Sequence, residues 1–138
     1  MILVAVDQLD FVLEERRAGP IVALLTDSAV RGDFNRQVAV IVRLLKSGCD
    51  YFVCFGRDSE RLHDEVDALA EREAGDSECT VITTWHVDES ASDVAEFFIN
   101  VAGARDISLL IGIVGPDDSE MQTSLAQIAS RMSTSLKN

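Results

Sequence analysis

Four apolar runs, Ile21 to Thr26, Tyr51 to Phe55, Val81 to Trp85 and Ile107 to Val114, are separated by segments each long enough to hold a helix. Short continuous apolar runs are the pattern of strands covered on both faces. Two parallel strands need a crossover of about a dozen residues, usually helical. The spacing therefore predicts a parallel sheet between two helical layers. Ile2 to Val6 is a further short strand pattern, followed by Leu9 to Arg17 as a weak helix ending before Gly19-Pro20.

The intervening segments carry helical periodicity. Asp33 can cap a helix with Phe34, Val38, Ile41, Val42 and Leu45 inward and Gly48 as its stop. After Gly56 comes a helix with Leu62, Val66, Leu69 and Ala70 inward. Ser90 and Asp93 form a variant of the capping box ahead of Val94, Phe97, Phe98 and Val101. The last helix carries Met121, Leu125, Ile128, Ala129 and Met132, with fraying expected beyond Ser133. The expected fold is α/β: a three-layer sandwich, flavodoxin-like or Rossmann-like, with a mainly parallel sheet of four or five strands and one domain over residues 1–138. Its sheet core should include Ala23, Leu25, Phe52, Cys54, Ile82, Leu109, Ile111 and Ile113.

Composition narrows the function classes. A chain of 138 residues, 47% hydrophobic, can bury a core without staples. Its 24 acidic residues against 12 basic ones leave a net charge of −12, which repels a phosphate backbone or an anionic bilayer. Nucleic acid and membrane are thus poor partners, and a basic protein or a cation is the better one. Three cysteines, Cys49, Cys54 and Cys79, lack the spacing of a disulfide framework or a zinc site. Without a signal-peptide pattern or a long apolar segment, a cytoplasmic location is expected.

In such folds ligands bind beyond the carboxyl ends of the strands. The residues there are Asp27, Asp58, His86, Asp88, Glu89, Asp117 and Asp118, with Arg57 as a cation. Neither G-x-G-x-x-G nor G-x-x-x-x-G-K-[ST] occurs, and carboxylates occupy the turns that would cradle a phosphate. A nucleotide held by its phosphates is therefore not expected, whereas the carboxylates suit a divalent metal. His86 with Asp88 and Glu89 is the candidate acid/base group. Asp58, His63, His86 and Asp88 are the candidates for holding a cation. Each has a plainer reading: the acids as helix caps, His63 and Asp67 as an i, i+4 pair, and His86 as a group closing a strand end. Thr83 and Thr84 point to opposite sheet faces, so only one can join His86. The cysteines Cys49 and Cys54 read as small buried residues.

Gly48-Cys49-Asp50-Tyr51, Gly56, His63-Asp64 with Asp67, and Thr83-Thr84-Trp85-His86-Val87-Asp88-Glu89 together resemble an uncharacterised family of small bacterial proteins. Its pattern has a G-C-x-Y strand, an H/W-D-x-x-D helix and a T-T-W-H-x-D-E segment, and the likeness spans about the middle half of the chain. The resemblance implies no activity, substrate or partner, but its motifs coincide with both polar clusters.

Three functions compete. The first is an acidic binding protein of immunity or antitoxin type, engaging a basic protein. The second is an enzyme acting on a small molecule at the strand ends through His86 and nearby carboxylates, with or without a divalent metal. The third is a noncatalytic sensory or scaffold domain. The first predicts a contiguous acidic face; the second requires His86, His63 and the carboxylates to converge; the third predicts an apolar patch and self-association.

Overall fold

The computed structural model describes residues 2–4, 13, 20–101 and 109–137. The elements run β1 (Ile2–Val4), β2 (Ile21–Thr26), α1 (Asp27–Val30), α2 (Phe34–Lys46), β3 (Cys49–Phe55), α3 (Ser59–Ala74), β4 (Ile82–His86), α4 (Ala91–Glu96), β5 (Leu109–Ile113) and α5 (Ser119–Lys137). The five strands form one sheet in the order β1-β5-β2-β3-β4, and every pairing is parallel. The expected α/β three-layer architecture is what the chain adopts. Of the helix expected over Leu9 to Arg17, only Leu13, which is buried, lies within the described residues.

The continuous apolar runs are explained by double coverage. Ile21, Ala23 and Leu25 of β2, with Phe52 and Cys54 of β3, pack on the layer that includes Ile41 and Leu44 of α2 and Leu62 and Val66 of α3. Val22 and Leu24, with Val53, face the opposite way onto Val94 of α4, Phe98, and Met121 and Leu125 of α5. Adjacent residues thus serve two separate cores, as the period of two requires.

Local signals behave as their chemistry dictates. The Asp33 carboxylate accepts the N–H of Arg36 at 3.0 Å, and the Ser90 hydroxyl accepts that of Asp93 at 3.1 Å, capping α2 and α4. Four expectations need correction. Ile82 is 50% exposed, because β4 is an edge strand and has a neighbour on one side only. Leu109 is half-buried at the start of β5. Phe34 is 64% exposed at the first position of α2, ahead of the buried stripe. Val101 is exposed and Ile99 buried, because Phe97–Val101 forms a π-helical turn that advances the inward face relative to α-helical spacing.

Candidate functional site

The order of the strands and the faces taken by their helices define two crevices at the carboxyl edge. β2 leads to α1 and α2 on one side of the sheet, while its neighbour β5 leads to α5 on the other. β3 and β4 diverge in the same way, into α3 and α4. Such divergence points are where open α/β sheets place ligands.

Between β2 and β5 the crevice is laced shut. The Thr26 hydroxyl accepts the N–H of Gly115 at 3.1 Å, and the Ser28 hydroxyl donates to the Asp118 carboxylate. A side chain at position 115 would run into Ser28. Asp27 turns the other way. Its carboxylate accepts the N–H of Asp58 at 2.7 Å, at the amino end of α3, and takes a bond from Arg31 at 3.3 Å. An anion at that helix end would need the same position. The expected self-capping by Asp58 is thus corrected: Asp58 stands at the N-cap of α3 without a side-chain cap bond, and Asp27 supplies the carboxylate from across the crevice.

Between β3 and β4, the N–H of Gly56 donates to the carbonyl of His86 at 3.2 Å, carrying the pairing one step past the strands. His86 ends β4 instead of following it. Its ring is buried against Phe97, with centroids 4.8 Å apart. Glu89 Oε2 lies 2.9 Å from Nδ1, and Thr84 Oγ1 lies 3.0 Å from Nε2. A carboxylate only accepts, so Nδ1 donates to Glu89, and in the neutral ring Nε2 accepts from the Thr84 hydroxyl. Asp88 makes this closure possible by adopting φ 60°, which turns the chain so that Glu89 comes back to the ring. Its own side chain is exposed. Glu89, His86 and Thr84 therefore form a relay that can polarise a hydroxyl, although both ring nitrogens are already engaged within the protein.

The other histidine lies across the sheet. In parallel pairing, aligned residues point to the same face. Thr84 and His86 align with Val53 and Phe55, whereas Trp85 aligns with Cys54 and faces α3. His63 of α3 meets Trp85 there, with ring centroids 4.4 Å apart and planes tilted by 52°. Asp64 and Asp67 hold the imidazole from both sides, at 3.1 Å from Nδ1 and 3.3 Å from Nε2. The sheet brings His86 and Glu89 together and separates them from His63, while Asp58 stands at the end of α3. Among the described residues, no group of three or more His, Cys, Asp and Glu side chains is arranged to hold a metal ion.

Cys54 and Cys49 are buried, and burial pushes the Cys54 thiol far up, with the charge of Asp67 and the neighbouring Cys49 adding to it. A thiol so placed is not a nucleophile. A groove of about 590 Å³ lies between α2 and α3, around Phe34, Val38, Val42 and Leu69, and contains none of the candidate residues. No helix among the described residues is long and apolar enough to cross a membrane.

One feature of the sequence escapes motif reading. From Glu73 to Ala104 the chain has seven carboxylates and no lysine or arginine, whereas α2 carries Arg36, Arg43 and Lys46 and no acid. β4 sits in the middle of that stretch, with Trp85 43% and Val87 38% exposed. A count of charges per element, instead of over the whole chain, finds it.

Fold and edge together define an α/β domain with an all-parallel sheet whose exposed edge strand lies within a stretch of sequence that has no lysine or arginine. The chain belongs to the family described as a domain of unknown function, DUF7684, which matches residues 7–131. No curated protein matches the chain.

Proposed function

We propose that this domain is a binding module for a basic protein, in the manner of an immunity protein or antitoxin, with the face around Trp85 as its contact. The observation that carries the reading is the placement of Trp85: half exposed on an edge strand, braced from behind by His63, within a stretch that has no cation. Tryptophan is enriched among the residues that dominate interface energetics. A ring already held in place costs less entropy on binding, and the Asp64 and Asp67 bonds to His63 provide that hold. The surrounding carboxylates would steer a basic partner and reject an acidic one.

The test begins with immobilised protein and its Trp85→Ala variant, followed by association rates of the retained protein across a salt series. The expected result is a basic protein held by the parent and lost from the variant, with rates that fall as salt rises. Equal retention by the two, or rates indifferent to salt, would discard the reading.

A second reading rests on the Glu89, His86 and Thr84 relay, the arrangement of an activated hydroxyl in acyl transfer. It favours hydrolysis of a small ester or amide through Thr84. Burst kinetics with an activated ester, abolished in Thr84→Val, would support it; no turnover above that of the variant would remove it.

A further inference from the structure

Sheet edges are aggregation hazards, and natural proteins blunt them with charged side chains, proline, bulges or a covering element. The outer edge of β4 has none of these among the described residues. Its sequence, Ile82-Thr83-Thr84-Trp85-His86, contains no proline, lysine, aspartate or glutamate. It is built of strong strand formers. The register with β3 runs without a bulge from Tyr51 opposite Ile82 to Phe55 opposite His86. No described strand pairs with its other side. Apolar surface is exposed at Ile82, Trp85 and Val87, the first and second of which point to opposite faces.

We infer that β4 is a strand-addition site, and that a basic partner contributes an extended segment as a sixth strand of the sheet. The inference rests on the basic-partner reading and specifies how that partner binds. Main-chain hydrogen bonds would supply affinity, and alternate side chains would supply specificity. The alternative occupant, a second copy of this chain pairing edge to edge, would bring the carboxylates of two Glu73 to Ala104 stretches together without a cation in either. Like charges set against each other are strongly unfavourable. A segment alternating lysine or arginine with apolar residues matches the edge instead. Its apolar side chains would cover Ile82, and its cations would reach Asp88 and Glu89. His63 meets the Trp85 ring at a tilt, and the exposed part of that ring is offered to a partner guanidinium.

The chain has one tryptophan, so its fluorescence reports this edge alone. The probe is a short peptide alternating lysine and arginine with valine, compared with the same peptide N-methylated at every second amide and with a glutamate analogue. The expected result is a saturable Trp85 response and slowed hydrogen exchange in β4, with the N-methylated peptide weaker by about tenfold or more because its ladder is broken. If the N-methylated peptide binds as well as its parent, strand addition is wrong while the basic-partner reading stands. If neither basic peptide binds, or the glutamate analogue binds equally, both fall. Dimerisation of the protein alone with protection of β4 would assign the edge to a second copy and overturn the inference.

Discussion

The Asp27 carboxylate accepts the backbone N–H of Asp58 at 2.7 Å and fills the space above Gly56, joining the end of one strand to the first turn of the helix after its neighbour. Gly56 has φ 125°, and a Cβ there would fall inside that carboxylate. Two demands therefore converge on one glycine, a backbone conformation closed to other residues and the absence of a side chain.

Gly56→Ala is expected to destabilise the protein by more than about 2 kcal/mol, since strain and overlap add. Asp27→Ala, which removes a part-buried, charge-assisted bond to the first turn of a helix, should cost about 2 kcal/mol. In urea unfolding the double variant should cost less than the sum, because the overlap has gone. Strict additivity would mean that the two residues do not meet as described.

The layering was legible because apolar runs covered on both faces leave a plain pattern in Ile21 to Thr26 and Tyr51 to Phe55. The segment Val81 to Trp85, with Thr83 and Thr84 in its middle, fits a strand as well and is an edge. Its threonines and tryptophan favour strands in either position, and only strand order, set by which way each crossover turns, separates the two. Local caps at Asp33 and Ser90 were legible because they act over three residues. The bond from Asp58 to Asp27 spans 31 residues and depends on β2 lying beside β3, so no spacing rule reaches it. The pairing of His86 with Glu89 follows from short separation, but the separation of His63 from His86 depends on which face each strand position takes, and that is known only once the register is.

Cys54 predicts an alkaline limit to stability. Its thiol is raised far above its ordinary value of 9.0, chiefly by burial. Above that ordinary value the unfolded chain releases this proton and the folded chain keeps it, so stability is complete below it and falls as pH rises. The slope is up to about 1.4 kcal/mol per pH unit for one such group. Denaturant melts between about pH 9 and 10 should show a shallower decline in Cys54→Ala than in the parent. Parallel declines would assign the titration to another group.

Asp88 separates conformation from chemistry. With φ 60° it lies in the left-handed region, which aspartate tolerates and glycine enters freely. Asp88→Gly should therefore change stability by less than about 1 kcal/mol, whereas Asp88→Val should lose about 1–2 kcal/mol to backbone strain. Partner binding is expected to weaken modestly in both, through one lost carboxylate. Complete loss of function in Asp88→Gly, with stability intact, would show that the side chain acts directly.

His86 is the residue on which the sequence and structure give different expectations. As a site residue at the end of a strand, its replacement would remove function and spare the fold. Its ring is only 8% exposed, packs on Phe97 and bonds to Thr84 and Glu89. His86→Ala should then cost about 2–3 kcal/mol, from lost aromatic packing and from leaving the half-buried Thr84 hydroxyl without its partner. Glu89→Gln keeps an acceptor for Nδ1 and should cost about 1 kcal/mol or less. In the binding reading, affinity per folded molecule changes little in His86→Ala, whose ring lies on the face of β4 opposite Trp85, and weakens modestly in Glu89→Gln through one lost carboxylate. Thermal unfolding and partner titration on the same samples decide the matter: a variant that folds as stably as the parent yet has lost its function would make His86 a working part of an active site.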